Sequence, residues 1–175
     1  METDMVICTR RIEWDSGHRV LGHGGKCCFL HGHRYAAKIT VAADNLDSLG
    51  MVVDFSVIKK EVGGWIDENW DHNILLNSKD PLAVQSESKI SGGTLDGCSI
   101  WQSQVGIFAG RKPFIFENIN PTAEVIAERL FHETRRLLAP YKIRANMVEV
   151  YETPNCSAVF TAIQASEKAV TAKGS

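Results

Sequence analysis

A short polar segment holds the residues best suited to chemistry. Cys27 and Cys28 come just before the pair His31-Gly32-His33. In an extended strand, side chains two positions apart point to the same face, so both imidazole rings would lie close together. Imidazole nitrogens are common ligands of zinc and other transition metals. The spacing therefore predicts a metal site with thiols beside it.

A chelating pair needs a third ligand, and His18, at the end of the first predicted strand, is the best upstream candidate. Three neutral imidazoles around Zn(II) leave the fourth tetrahedral position free for water or substrate, as in catalytic zinc sites. Two alternatives stay open. A thiolate of Cys27 or Cys28 could fill that position and make the site structural, and His23 is a rival third ligand in a glycine-rich loop.

Length and charge limit the classes of protein to be considered. The chain has 175 residues, 44% of them apolar, which suits a single domain with a substantial core. Its 19 basic and 21 acidic side chains leave a net charge of −2, without the basic surplus of a nucleic-acid-binding protein. A small molecule is therefore the expected partner.

Cysteine count and apolar runs indicate the cellular compartment. Five cysteines are an odd number, which does not suit a disulfide framework. No N-terminal apolar run resembles a signal peptide, and no stretch approaches the length needed to span a membrane. We therefore expect a cytoplasmic protein without a membrane partner.

Hydrophobic periodicity predicts a hairpin at each end of the domain. Residues 5–13 are rich in β-branched and apolar side chains and run on towards His18, while residues 34–43 alternate between apolar and polar side chains. These two strands should pair antiparallel around a long, glycine-rich loop. Residues 147–153 and 157–163 form the closing hairpin.

Two helices are predicted between the hairpins. Asp54 can cap the first, which runs to about Trp70 and is weakened by two glycines at 63–64. The second has Pro121 in its first turn and ends at Pro140. Apolar side chains share one face of each helix: Val57, Ile58, Val62 and Ile66 in the first, and Ala127, Leu130, Phe131 and Leu138 in the second.

The order strand, strand, helix, helix, strand, strand predicts an α+β fold with ββααββ topology. Its antiparallel four-stranded sheet would carry both helices on one face. The unpaired edges of such a sheet favour oligomerisation that joins edges. The domain should span residues 1–165, with an insertion at about 78–118 that carries one or two short strands, and a disordered tail at 166–175.

A carboxylate stands beside an imidazole at Asp71-His72, just beyond the first helix. Adjacent side chains seldom bond each other in regular structure, so an exposed polar turn is one interpretation. If the pair faces Cys27, Asp71 could instead orient His72 for proton transfer near neutral pH.

Glu152 ends a predicted strand, and alternation places it on the same face as Val148 and Val150. A carboxylate is unusual on a face that packs into a core. There it could accept two parallel hydrogen bonds from the amidine-like edge of a ligand. A strand-end glutamate in solvent is the alternative interpretation.

Six motifs in register along the chain now point to one family. They resemble the 6-pyruvoyltetrahydropterin synthase / 6-carboxytetrahydropterin synthase family of tunnel-fold proteins. The motifs are Ser16-Gly17-His18-Arg19, Cys27 followed after three residues by His31-Gly32-His33, Val53-Asp54-Phe55, Asp71-His72, Asn120-Pro121-Thr122-Ala123-Glu124 and Tyr151-Glu152-Thr153.

The resemblance implies an assembly and a metal. Three subunits would close their sheets into a barrel, two trimers would stack as a hexamer, and active sites would lie between subunits. It implies zinc bound by His18, His31 and His33, and the pterin triphosphate 7,8-dihydroneopterin triphosphate as substrate.

The resemblance also implies roles for the remaining motif residues. Glu152 matches the position that anchors the pterin ring, and Thr153 lies in the same motif. Cys27, Asp71 and His72 match the proton-transfer group, with the last two supplied by a neighbouring subunit.

The gap between Cys27 and His31 resembles the bacterial carboxy-forming branch, which serves queuosine (7-deazaguanine) biosynthesis. This branch implies a lyase that releases 6-carboxy-5,6,7,8-tetrahydropterin, acetaldehyde and triphosphate. Arg19 and Lys26 flank the site and could meet the triphosphate. A pyruvoyl-forming synthase, or a non-catalytic pterin- or metal-binding module in which Cys28 closes the zinc site, are the alternatives.

Overall fold

The computed structural model describes residues 5–86, 100–103, 106–109 and 111–162, so the predicted tail at 166–175 lies outside the described residues. Nine strands and three α-helices are described. The strands are β1 (Ile7–His18), β2 (His31–Ala42), β3 (Asn73–Asn77), β4 (Val84–Ser86), β5 (Ile100–Ser103), β6 (Gly106–Ala109), β7 (Phe114–Phe116), β8 (Arg144–Thr153) and β9 (Cys156–Thr161). The helices are α1 (Phe55–Ile58), α2 (Gly64–Asn69) and α3 (Ala123–Leu138).

The main sheet has six strands in the order β7-β3-β1-β2-β8-β9. Strands β1, β2, β8 and β9 pair antiparallel, as predicted, but β3 pairs parallel to β1 and β7 pairs parallel to β3. The predicted four-stranded antiparallel sheet is therefore wrong in strand number and direction. The cause is that β3 is a short strand in which Leu75 and Leu76 are both buried, so it lacks the alternation that marks a half-exposed strand.

The predicted insertion contains more strands than expected. Strands β4, β5 and β6 form a second, three-stranded sheet, and β7 returns the chain to the edge of the main sheet. The described part of residues 78–118 therefore contains four strands, against the one or two predicted.

The β1–β2 hairpin runs antiparallel along twelve residues of each strand. Its register places His18 opposite His31 and Ser16 opposite His33. Because the side chains of directly opposed residues point to the same face, the hairpin brings the imidazole from β1 to those from β2.

The first helical segment begins where predicted, because the Asp54 carboxylate accepts a hydrogen bond from the Ser56 N–H at 2.7 Å. A single π-helical turn, Lys59–Gly63, joins α1 to α2. Helix α3 begins at Ala123, two residues after Pro121, because Thr122 occupies the capping position and its carbonyl accepts the Ile126 N–H. The predicted start of the second helix is wrong by that margin.

The core lies between the helices and one face of the main sheet. Apolar side chains of all three helices meet those of β1, β2 and β8 there: Ile12, Trp14, Tyr35, Ile39, Ile58, Ile66, Ile126, Leu130, Val148 and Val150. All four apolar positions predicted for α3 are buried. Within the described residues, no helix is long and apolar enough to cross a membrane.

Candidate active site

Three imidazoles meet at one end of the β1–β2 hairpin. One potential ligand nitrogen from each of His18, His31 and His33 lies within 4.8 Å of the others. His18 ends β1 and is only 2% exposed, while His31 and His33 begin β2 and are half-buried. The three residues predicted to bind a metal are thus brought together by the structure.

Backbone carbonyls orient two of these rings. The Nδ1 of His18 donates to the Pro121 carbonyl at 2.7 Å, and the Nδ1 of His31 donates to the Phe29 carbonyl at 2.8 Å. A carbonyl can only accept, so each Nδ1 carries the proton and each Nε2 keeps a free lone pair. The Nε2 of His18 is buried and has no hydrogen-bond partner among the described residues.

The cluster favours neutral imidazoles. Burial, together with the neighbouring rings of His31 and His33, lowers the pKa of His18 to about 4 despite the opposing hydrogen bond to Pro121. Burial and the proximity of His31 also lower the pKa of His33. Only neutral imidazole can bind a metal, so an orphaned buried Nε2 within this cluster fits a metal ligand.

The alternative ligands lie elsewhere. Neither Cys27 nor Cys28 is part of the metal-ligand cluster found among the described residues. His23 is also outside that cluster, and its Nδ1 accepts a hydrogen bond from the Gly25 N–H at 2.8 Å. No described sulfur therefore belongs to the set formed by His18, His31 and His33.

The thiol of Cys27 is exposed beside the cluster. It belongs to a short 3₁₀ turn, Lys26–Cys28, and lines a cleft of about 610 Å³ together with Lys26, Phe29 and His31. His31 belongs to both the cleft and the imidazole cluster. A ligand in this cleft would thus lie beside both the thiol and the cluster.

Hydrogen bonds fix the loop that carries Cys27. The Val20 N–H donates to the Cys27 carbonyl at 2.8 Å, which closes the loop. The Asn120 amide group bonds both the N–H and the carbonyl of Leu21, at 3.0 and 2.9 Å. The segment Asn120-Pro121 therefore holds the chain after β1 and the His18 ring at the same time.

Arg19 is committed to another partner. Its guanidinium donates two hydrogen bonds to the carboxylate of Asp80, at 2.6 and 2.9 Å, and the Asp80 side chain is fully buried. Bidentate pairing of this kind is strong and directional. A contact of Arg19 with a triphosphate stays a prediction, and it would have to use the guanidinium nitrogen that Asp80 leaves free of these two bonds.

Glu152 faces the imidazole cluster, as alternation predicts. Its carboxylate lies 3.7 Å from the Nε2 of His18. Burial raises its pKa, and the charge of Glu124 raises it further, against the opposing effect of His31. The hydroxyl of Tyr35 is also buried nearby, and the Glu152 charge adds to the effect of burial in raising its pKa.

Glu124 is a second carboxylate at the site that sequence reasoning missed. It lies in the first turn of α3, and hydrogen bonds from Thr122 and from its own backbone lower its pKa. It therefore stays ionised beside Glu152. The available signal is its place in the Asn120-Pro121-Thr122-Ala123-Glu124 motif.

Thr153 adjoins Glu152 but is engaged in the β8–β9 turn. Its hydroxyl accepts a hydrogen bond from the Asn155 N–H at 3.3 Å. The pairing of β8 with β9 shifts register between Tyr151 and Thr153, so regular alternation does not relate the side chain of Thr153 to that of Glu152. A role of Thr153 in substrate binding stays a prediction.

Asp71 and His72 hydrogen-bond each other despite being adjacent. The distance between His72 Nδ1 and Asp71 Oδ2 is 2.7 Å. His72 has a positive φ of 53°, which takes the pair out of regular structure and lets the two side chains meet. Burial acts to raise the pKa of Asp71, but hydrogen bonds from Asp15 and His72 outweigh it and lower that pKa.

Within one chain, His72 and Cys27 line different clefts. His72 is exposed and lines a cleft with Gly32 and Arg34, whereas Cys27 lines the cleft beside His31. The first of these clefts also includes His33, so each candidate lies in a cleft that borders the imidazole cluster.

Comparison with known proteins identifies relatives across most of the chain. A family profile described as 6-pyruvoyl tetrahydropterin synthase matches residues 7–162. A 6-carboxy-5,6,7,8-tetrahydropterin synthase of Rickettsia bellii is 44% identical over 153 residues, which is 87% of this chain and 97% of that protein. The enzyme of the same name from Bacillus subtilis is 48% identical over 138 residues, covering 78% of this chain and 70% of that protein.

Solved structures share the fold. A protein of Wolinella succinogenes superposes with a TM-score of 0.68 at 20% identity, covering 92% of this chain and all of that one. The 6-pyruvoyl tetrahydropterin synthase of Caenorhabditis elegans superposes with a TM-score of 0.59 at 19% identity, covering 93% and 99%. Both agree with the arrangement of helices against a sheet described above.

Proposed function

This chain belongs to the 6-pyruvoyl tetrahydropterin synthase family and is a lyase, and we propose that it is a 6-carboxy-5,6,7,8-tetrahydropterin synthase acting on 7,8-dihydroneopterin triphosphate. The observation that carries the proposal is the name shared by relatives 44% and 48% identical to it. The three-imidazole cluster beside an exposed thiol supports it. The product would serve queuosine (7-deazaguanine) biosynthesis.

Zinc is the metal we assign to the cluster, held by His18, His31 and His33. Three imidazoles without a fourth protein ligand are the donor set of a catalytic zinc site. Zinc bound there would act as a Lewis acid towards oxygen atoms of the substrate side chain. The chain itself supplies ring orientation, through the Pro121 and Phe29 carbonyls.

The carboxylates would bind the pterin ring. Glu152 faces the cluster and is our candidate for the pair of hydrogen bonds to the amidine-like edge of the ring. Glu124, which stays ionised at the start of α3, is a second candidate for the same contact. Thr153 would contribute to the same end of the site.

Proton transfer would fall to Cys27 and to the Asp71–His72 pair. Cys27, as the thiolate, would remove a proton near the pterin ring. His72, held by Asp71 through a 2.7 Å hydrogen bond, would move protons to and from the side chain. Because these groups line different clefts of one chain, a trimer or dimer of trimers would bring His72 of one subunit to Cys27 of another.

The proposed reaction balances with one water molecule. Triphosphate leaves the terminal side-chain carbon, and proton shifts reduce the ring to the tetrahydro level while the two inner side-chain carbons become carbonyls. Cleavage of the bond between those carbons then consumes water, whose oxygen enters the new carboxylate and whose hydrogen enters acetaldehyde. A pyruvoyl-forming synthase would stop before this cleavage.

The test is incubation of reduced, zinc-loaded protein with 7,8-dihydroneopterin triphosphate. We expect acetaldehyde and a product with the mass of 6-carboxytetrahydropterin. A product that retains the whole carbon skeleton would instead identify the pyruvoyl-forming activity, which the family description also names.

Cysteine variants separate an enzyme from a binding module. Cys27→Ala should lose turnover, whereas Cys28→Ser, one residue along the same turn, should keep it. Both should bind the substrate with similar affinity. Wild-type protein that binds the pterin tightly and turns over no faster than Cys27→Ala would contradict the enzymatic function.

A further inference from the structure

Arg111 lies at the end of the insertion, close to the end of α2. Its guanidinium donates three hydrogen bonds to backbone carbonyls: to Asp67 at 3.0 Å, to Glu68 at 2.8 Å and to Asp71 at 2.8 Å. Carbonyls at the end of a helix lack partners within the helix and carry partial negative charge. Arg111 therefore closes the helix end and binds the turn that follows it.

The sheet register brings Arg111 to this place. Strands β3 and β7 run parallel, with Leu75 beside Phe114. His72 lies three residues before Leu75, and Arg111 lies three residues before Phe114. The parallel pairing therefore places the segment that leads into β7 beside the Asp71–His72 turn. The contact thus follows from the β3–β7 pairing.

The opposite side of the turn is held by β1. The Asp15 N–H donates to Asp71 Oδ1 at 2.9 Å, and the His72 N–H donates to the Asp15 carbonyl at 2.7 Å. Asp71 Oδ2 then accepts from the His72 ring. Arg111 is the contact from the other side, and it acts on the backbone of Asp71.

We propose that Arg111 is a positioning residue of the reaction, which fixes the Asp71–His72 pair through the Asp71 carbonyl. The proposal rests on the proposed function of that pair in proton transfer. It also gives the insertion a specific role, since its returning segment supplies the guanidinium.

Arginine suits this role because one planar group can reach several carbonyls at fixed angles. Lysine offers a point charge on a flexible stem and cannot reproduce three directed bonds. Loss of the guanidinium would remove the insertion's contact with the turn and leave the bonds to β1 and the bond of the Asp71 N–H to the Ile66 carbonyl. A small displacement of a proton-transfer group reduces the chemical step strongly and leaves ground-state binding unchanged.

The experiment compares Arg111→Ala, Arg111→Lys and Arg135→Ala in the zinc-loaded, full-length protein. Arg135 is an exposed arginine in the last turn of α3, at the opposite end of that helix from Glu124, and serves as the matched control. We expect Arg111→Ala to lower kcat by about 10- to 100-fold with KM within about twofold. Arg111→Lys should be intermediate, and Arg135→Ala should match wild type.

Chemical rescue distinguishes positioning from general stability. Millimolar guanidinium ion, far below denaturing concentrations, should restore part of the kcat of Arg111→Ala and leave Arg135→Ala unaffected. A wild-type kcat in Arg111→Ala, or a loss expressed only in KM, would overturn the proposal while the lyase function stands. Wild-type protein without product formation would instead overturn the proposed function. Thermal melting of each variant checks that the fold is intact.

Discussion

At the scale of single residues, one backbone carbonyl and burial together prepare His18 for its role. The Pro121 carbonyl takes the Nδ1 proton, and burial holds the ring neutral. The result is an imidazole with a free, water-excluded lone pair, which costs stability unless a metal or another partner satisfies it. The fold therefore orients the Nε2 atom of His18 for a metal ion before any ion binds.

Metal binding should depend on His33 and be independent of His23. His33→Ala removes one of three clustered nitrogens and should weaken zinc affinity by about 100-fold or more, because two imidazoles hold the ion poorly. His23→Ala removes an imidazole outside the cluster and should retain stoichiometric zinc. Zinc content after dialysis, measured by elemental analysis, checks both variants. Equal loss of zinc from the two would contradict the assignment.

Stability of the metal-free protein should fall as the solution becomes acidic. His18 has a pKa of about 4 in the folded protein, below the ordinary value of 6.5 that applies when unfolded. Between these values the unfolded chain binds the proton and the folded protein does not, so unfolding is favoured as pH falls. The change from pH 7 to pH 5 should lower the free energy of unfolding by about 2 kcal/mol.

Urea denaturation at several pH values measures this effect. His18→Gln should flatten the pH dependence, whatever its own effect on stability at neutral pH. His132→Gln, at an exposed position of α3, is the matched variant for comparison. An unchanged slope in His18→Gln would show that other groups carry the pH dependence.

At the scale of elements, the π-helical turn between α1 and α2 keeps three apolar side chains on the face that packs against the sheet. Ile58, Val62 and Ile66 repeat every four residues, but an α-helix has about 3.6 residues per turn, so a spacing of four drifts around the helix. A wider π turn, Lys59–Gly63, slows that drift. All three side chains are consequently fully buried against the sheet.

Replacement of glycines should give opposite results at two sites. Gly64 has helical φ of −59°, and among the described residues no atom beyond its chain neighbours and its own helix backbone lies within 4 Å of an added Cβ. Gly64→Ala should therefore stabilise by about 0.5–1 kcal/mol. Gly50 has φ of 81°, which an alanine adopts only with strain, so Gly50→Ala should destabilise by about 1 kcal/mol. The midpoints of urea unfolding at constant slope compare the two. Destabilisation by Gly64→Ala would contradict the expected gain in helix propensity.

At the scale of the whole molecule, the main sheet has two different faces and two ends. One face carries the apolar core, and the other carries charged groups such as Lys38, which bonds Glu149 and Tyr151 at 3.1 and 2.7 Å. Strands β9 and β7 each pair on one side only within the sheet. The proposed oligomer would form at these edges. Cys27 and His72 line different clefts of one chain, so contact between subunits would be needed to bring His72 of one subunit to Cys27 of another.

Mixing of inactive subunits tests this arrangement. Cys27→Ala and His72→Ala homomers should each lack activity. If neighbouring subunits supply the two groups, co-refolded equal mixtures should regain about a quarter of the wild-type sites, since random assembly pairs intact groups at that frequency. Activity is measured by acetaldehyde release and subunit exchange by mass. Mixed oligomers without regained activity would show that both groups act from the same chain.

Local patterns in the sequence determined the parts of the site that lie on the β1–β2 hairpin and on β8. Alternation in β2 brings His31 and His33 to one face, and the hairpin adds His18. The same rule puts Glu152 on the core face of β8, and the motifs identified the family. These predictions depend only on residues close together in the chain, because the two-residue period of a strand determines to which face each side chain points.

Only the tertiary structure decided the contacts between distant segments. The parallel strands β3 and β7, the Arg111 bond to the Asp71 turn, the Asn120 contact with Leu21 and the approach of Glu124 to Glu152 all join residues more than 25 positions apart. Such contacts depend on how helices and sheet pack together, because no local period specifies which distant group will meet a given side chain.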